Sequence, residues 1–523
     1  MTFEIRERDL LGRIGKLKTK SGTVETPALL PVLNPAIQPV APERIRREFG
    51  FEAVITNAYI LKQNFQNRPV EEGIHKFLNF NGVIMTDSGA YQTLVYGDVA
   101  TNAEEIVRYQ EQIDTDVATI LDIPTGWKVT EENAERTVKE TLKRARELFK
   151  LRTKDDILWV GPVQGGKYLN LVAKSAQQLN RLPFQINALG SPTEVMERYR
   201  FDVLADMIMT AKLNLGSEKP LHLFGAGHPF MFALAVALGC DLFDSAAYAL
   251  YAREDRYMTE NGTYRLHELT NFPCSCPRCC SSTPKQALEL QQNQRTIFLA
   301  EHNLYASSAE IKRVKQAIRD GRLWEHLEMR AHSHPALLQA VKTLAKHKEF
   351  IEKHSPATKK SGLFFFNSIS LMRPEVVHYR RMIQQRYTQP EGTTTLLLFP
   401  QTRTKPFHRS QEYRRIARAL KKPSLAERES HTCFYAAPFG VIPIELDEVY
   451  PLSQHEIVLP LDEETIAYVA DRIVDYINRK SYKKVILVRD EATWNKTVEA
   501  RCKKACAKRR ISFKSFNLKK TLS

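Results

Sequence analysis

Three aspartates sit where an apolar run stops. Asp87 follows Met85-Thr86, Asp122 follows Leu121, and Asp244 ends Asp241-Leu-Phe-Asp. A carboxylate placed directly after an apolar run costs desolvation free energy unless it is paired or at work. Brought to one place, three of them make an acid–base or nucleophilic site. One carboxylate can attack an anomeric carbon and form a glycosyl–enzyme intermediate while another moves protons. Taken singly, each would more often be a helix N-cap just after a strand. The turns Gln164-Gly-Gly and Ala188-Leu-Gly-Ser, which end similar runs, shift the weight towards a site.

A second cluster is built from sulfur. Cys274, Cys276 and Cys279 form C-x-C-x2-C, and Cys280 is adjacent to the last of them. In a cytosolic chain so tight a group marks a metal more often than disulfides. Zinc takes four soft or borderline ligands in a tetrahedron, and one knuckle supplies three thiolates. His302, twenty-three residues beyond Cys279, is the best candidate for the fourth. Four protein ligands leave no open position, so the expected Zn2+, one per chain, is structural.

The elements that must position these residues follow from periodicity. Short runs rich in Val, Ile and Leu occupy 26–32, 53–57, 82–86, 117–121, 157–163, 184–189, 221–224 and 242–243. Helical spacing fills much of the gaps, as at 102–112, 131–151, 168–182 and 192–209. Eight strands alternating with helices predict an α/β chain with a (β/α)8 barrel, the alternative being a doubly wound open sheet. The barrel is favoured because each run ends in a polar or glycine-containing motif, such as TNAY, TDSGAYQ or FGAGHP, and barrels place chemistry at the C-terminal ends of their strands. The first domain is expected over 1–345, with an appended zinc-binding segment at 272–305. Beyond the polar stretch 355–362 a smaller α/β domain is expected over 362–523, with strands at 394–399, near 433–436 and at 484–488 and a basic tail.

Apolar residues make up 43% and charged residues 26% of the 523, a core-forming composition and not a disordered one. No run of about 18 apolar residues crosses a membrane and the start of the chain has no secretory h-region, so a cytoplasmic protein is expected. The net charge of +16 is uneven: residues 361–523 carry 29 basic and 17 acidic side chains, and from Arg501 onward there are nine basic residues and no acidic one. A basic half on a nearly neutral one points to a polyanion partner such as nucleic acid.

TDSGAYQ, VQGG, ALGS, FDSAAY and the C-x-C-x2-C…His302 arrangement together resemble the tRNA-guanine transglycosylases of the archaeal type, over residues 1 to about 345. Ala90-Tyr91, where bacterial members typically read Gly-Phe, fits that branch. The resemblance implies a base exchange without energy input, in which guanine at position 15 of the tRNA D-arm gives way to 7-cyano-7-deazaguanine (preQ0) on the path to archaeosine. The choice of preQ0 over the aminomethyl compound rests on the resemblance alone. Carried onto this chain, Asp244 would be the nucleophile on the ribose C1′ and Asp87 the general acid/base. Ser88 would help hold the base, Tyr91 would stack on it, Asp122 and Gln164 would hydrogen-bond its edge, and the Gly190 backbone would line the pocket. Reaching a base in folded RNA requires its extrusion. The family also dimerises through the zinc-containing region, so a homodimer is expected.

In the second half, Pro400-Gln-Thr-Arg-Thr-Lys-Pro-Phe-His-Arg-Ser-Gln-Glu-Tyr resembles a motif of the paralogous archaeosine synthases, P-C-x3-K-P-Y-x2-S-x2-H, with Gln401, Phe407 and Tyr413 in place of Cys, Tyr and His. The domain is expected without the second activity. The PUA RNA-binding domain with which archaeal members commonly end is not expected after Lys508, so a separate PUA-type RNA-binding protein is an expected partner. The competing readings are a synthase-like paralogue acting on the inserted base, a non-catalytic tRNA-binding subunit and a barrel glycosidase. Gln401, the intact Asp87/Asp244 pair, and the basic half with its zinc cluster argue against them in turn.

Overall fold

The computed structural model of the chain describes residues 2–90, 102–420 and 429–517. It divides into two compact units, Met1–Lys346 and His347–Ser523.

The first unit begins with a sheet that the periodicity did not announce. Strands β1 (Phe3–Asp9), β2 (Gly12–Lys18) and β3 (Thr23–Thr26) pair antiparallel in that order. Their outer positions are charged, which dilutes the apolar signal. Their inner ones, Phe3, Leu17 and Val24, pack with Leu30, Ile55, Val83, Val160 and Ile186 of the barrel interior and plug the end where β3 runs into the first barrel strand.

All eight expected runs become barrel strands: β4 (Ala28–Leu33), β5 (Ala53–Asn57), β6 (Val83–Asp87), β7 (Val117–Thr119), β8 (Leu158–Val163), β9 (Ile186–Leu189), β10 (Leu221–Leu223) and β11 (Leu242–Ser245). They pair in parallel and close, β11 lying against β4. The open doubly wound alternative is thereby set aside. Strands buried on both faces read as near-continuous apolar runs, which is why they were legible.

A buried ion pair locks the plugged end. Arg13 of β2 donates from Nε and Nη2 to the two carboxylate oxygens of Asp241, both at 2.7 Å, and Asp241 also accepts the backbone N–H of Leu221 at 2.8 Å. Both side chains are buried. Breaking such a pair strands a charge, so Asp241→Ala should destabilise the barrel by about 3–5 kcal/mol. Denaturant unfolding followed by tryptophan fluorescence would read this, and an unshifted midpoint would contradict it.

After β11 comes the hairpin β12 (Arg256–Thr259) and β13 (Gly262–Arg265), the cysteine segment, and a helix from Gln292 to Asp320 that ends at Gly321 in the left-handed conformation.

The second unit holds a short parallel pair, β14 (Leu363–Phe365) and β18 (His455–Ile457), and a five-stranded sheet. The sheet runs β17 (Gly440–Pro443), β16 (Ser430–Ala436), β15 (Thr395–Pro400), β19 (Lys484–Arg489), β20 (Ser512–Asn517), parallel except at β16/β17. On one face Leu396, Leu398, Val485 and Leu487 pack with Val469, Ile473, Val498 and Cys502 of the helices Glu463–Arg479 and Lys496–Lys508. On the other, Phe399, Phe434 and Val488 pack with Val376, Tyr379 and Phe407.

The expected basic tail is folded to Asn517. Cys502, Ala505 and Cys506 are buried, Arg510 turns the chain with φ +57°, and β20 then pairs with β19. Arg509 donates to the carbonyls of Asn478 and Lys480 at 2.8 and 2.9 Å, so it is a structural residue. Sheet pairing across the chain, invisible to local periodicity, orders this stretch. No helix among the described residues is long and apolar enough to cross a membrane.

Candidate active site

The C-terminal ends of the barrel strands open into one cavity of about 1120 Å3, lined by Asp87, Asp122, Gln164, Gly190 and Asp244 among others. These residues come from β6, the loop after β7, and the ends of β8, β9 and β11. No two of the three aspartates are neighbours in sequence, and only barrel closure collects them.

Each carboxylate is held differently. Asp87 accepts a hydrogen bond from Asn57 Nδ2 at 3.0 Å and one from the Gly89 N–H at 3.3 Å. Asn57 caps the helix Ala58–Phe65, its Oδ1 accepting the Ile60 N–H at 2.9 Å, so its NH2 is left to face Asp87. Burial, with Asp122 and Asp244 nearby, pushes the Asp87 carboxyl up to about 7. Burial likewise raises Asp122 to about 6, against a lowering hydrogen bond from Gln164.

Gln164 has one orientation available. Its Oε1 accepts from the Thr125 N–H at 3.1 Å and the Ser191 hydroxyl at 2.7 Å, so its Nε2 must be the end that donates to Asp122. Gly190 makes room for this, because a Cβ there would sit inside the Gln164 amide. Ser88 is fully buried, and its hydroxyl has no hydrogen-bond partner among the described residues. Tyr91 lies outside the described residues.

Asp244 is held through one oxygen. Its Oδ1 accepts both the Gly225 N–H and His222 Nε2, each at 2.9 Å. Asn57, Thr125, Ser191, His222 and Gly225 were not singled out from sequence. The signals were there: Asn57 belongs to the strand-end motif TNAY, and His222 is a polar residue inside an apolar barrel strand.

The four candidate metal ligands come together, as the spacing predicts. Cys274, Cys276, Cys279 and His302 bring one donor atom each within 4.8 Å of one another. Cys276 Sγ lies 3.5 Å from Cys279 Sγ and 3.6 Å from His302 Nδ1, and Cys279 Sγ lies 3.3 Å from that nitrogen. Tetrahedral zinc with Zn–S near 2.3 Å and Zn–N near 2.1 Å has edges of roughly 3.6–3.8 Å, so the donor set fits the ion. His302 Nε2 donates to the Met258 carbonyl at 2.9 Å, which leaves Nδ1 as the lone-pair nitrogen facing the thiols. Tyr257 stacks on the imidazole at 3.6 Å. Cys280 is exposed and outside the group.

A closed parallel barrel with three carboxylates lining the cavity at the C-terminal ends of its strands, followed in the chain by a Cys3His group, has the architecture of a (β/α)8-barrel enzyme. Residues 9–336 match the queuine tRNA-ribosyltransferase family, and residues 376–519 match a domain of unknown function, DUF5591. A Saccharolobus solfataricus protein named tRNA-guanine(15) transglycosylase is 43% identical over 94% of this chain and 97% of its own length. Proteins of the same name from Methanocaldococcus jannaschii and Sulfolobus acidocaldarius are 44% and 39% identical, over 95% and 93% of this chain and 74% and 95% of theirs. The chain belongs to the queuine tRNA-ribosyltransferase family.

Proposed function

We infer that this chain is a tRNA-guanine transglycosylase that exchanges guanine 15 of tRNA for preQ0. One observation carries the reading: Asp87, Asp122 and Asp244, remote in sequence, line one cavity in a chain whose relatives carry that name along nearly its whole length. In the first half-reaction the Asp244 carboxylate forms a bond to the ribose C1′ as the C1′–N9 bond breaks, and Asp87 gives its proton to the departing guanine. In the second, N9 of the incoming deazaguanine attacks C1′, its proton passes to Asp87, and the Asp244 carboxylate leaves. Asp122 accepts from the N1–H and 2-amino edge of the base, Gln164 holds Asp122 and the edge together, and Ser88 offers its hydroxyl, which has no partner among the described residues. Tyr91 is assigned the stacking face.

Incubation with guanine-15 tRNA and labelled guanine should incorporate the label, and unlabelled preQ0 should chase it out. No incorporation would overturn the reading. The pH profile follows from Asp87, which carries its proton below about pH 7. Base departure needs that proton, so the rate of covalent-adduct formation should fall towards tenfold per unit above pH 7. Single-turnover rates should show the inflection, and Asp87→Asn should lose it.

Cys274, Cys276, Cys279 and His302 are proposed to hold a structural zinc that ties the cysteine segment to the helix Gln292–Asp320. A homodimer and a separate PUA-type RNA-binding partner are proposed alongside, to be read by sedimentation with and without tRNA. A cytoplasmic location is proposed with it, where a tRNA substrate would be met. The second unit is proposed to grip tRNA through phosphate charge. Arg414, Arg415 and Arg418 are exposed on the helix Gln411–Leu420. Replacing all three with Gln should lower the slope of log K against log salt by roughly 0.7–0.9 per lost contact and leave base choice unchanged. An unaltered slope would place the grip elsewhere.

A further inference from the structure

We propose that His222 is a positioning residue for Asp244, holding the carboxylate through a hydrogen bond donated from Nε2. The proposal rests on Asp244 being the nucleophile.

His222 stands in the middle of β10, paired in register with Ala188 and Leu242, and its side chain is fully buried. Its Nε2 is 2.9 Å from Asp244 Oδ1. Phe224 lies against the imidazole at 4.8 Å. Its other nitrogen, Nδ1, is buried without a hydrogen-bond partner among the described residues. A carboxylate oxygen only accepts, so Nε2 carries the hydrogen.

This arrangement separates the two oxygens of Asp244. Oδ1 takes both donors, from His222 and from the Gly225 N–H, and Oδ2 is left for the reacting carbon. When Oδ2 bonds to C1′, Oδ1 becomes the ester carbonyl and keeps both hydrogen bonds. When the ester breaks, the same two donors meet the returning charge. Restricting the nucleophile to one rotamer is the positioning effect that catalysis exploits.

The test compares His222→Leu, which removes the donor and keeps an apolar body, with His222→Gln, whose amide donates at similar reach. The full chain is assayed with guanine-15 tRNA and labelled guanine, with melting temperature and Asp244→Asn measured in parallel. His222→Leu should lower kcat by about 10- to 150-fold, the range of a lost hydrogen bond to a charged group, with KM for tRNA unchanged and adduct formation slowed alike. His222→Gln should return kcat to within about fivefold of wild type. Wild-type kcat in His222→Leu, or equal losses in the two variants with a matching fall in melting temperature, would overturn the proposal. If Asp244→Asn itself exchanges normally, the nucleophile assignment has failed instead.

Discussion

An Asp244→Asn chain should keep its fold and its tRNA affinity and lose base exchange by at least about 10^4-fold. The amide oxygen can still accept from His222 and the Gly225 N–H, which is why the barrel should not notice. What changes is the other atom, now an NH2 with no negative charge to place on C1′. Wild type should give a covalent RNA–protein adduct that survives a denaturing gel, and Asp244→Asn should give none. Near-normal turnover would remove Asp244 from its role. The comparison with Asp241 sharpens the test. Asp241 lies three residues earlier, and its loss is expected to appear in stability and not selectively in the chemical step.

Cys276→Ser should release about one zinc per chain and unfold the cysteine segment. A serine hydroxyl is a poor substitute for thiolate, and metal binding in such sites is folding free energy directly, on the order of 10–16 kcal/mol in small zinc peptides. Against a typical domain stability of about 5–15 kcal/mol, that is enough to decide whether the segment is ordered. The Tyr257–His302 stack and the Tyr257 hydroxyl on Cys279 at 3.2 Å depend on the cluster, so the damage should spread to the β12 hairpin. Metal analysis and limited proteolysis around residues 272–282 would measure it. Unchanged zinc content would mean that Cys276 is not a ligand.

Much of this is legible in the sequence. The eight barrel strands are buried on both faces, so each announces itself as a short apolar run, and a carboxylate at the end of such a run is conspicuous for its cost. The Cys3His set was legible because three ligands lie within six residues and the fourth on the helix that follows. These are local signals, carried by neighbours along the chain.

What the tertiary structure decided is everything that depends on partners far apart. Asp241 and Asp244 look alike in Asp241-Leu-Phe-Asp, yet one is neutralised by Arg13, 228 residues away, and the other opens into the cavity. The N-terminal plug has charged outer positions that hide it from periodicity, and it acquires its meaning only from the barrel end it fills. His222 reads as an anomaly in an apolar strand until closure sets it against Asp244. The basic end past Lys508 reads only as a tail until β19 supplies the hydrogen bonds that make β20 a strand. Periodicity reports which face of an element is buried. It does not report what the buried polar group meets there, because that partner is fixed by barrel closure and sheet order, not by sequence neighbours.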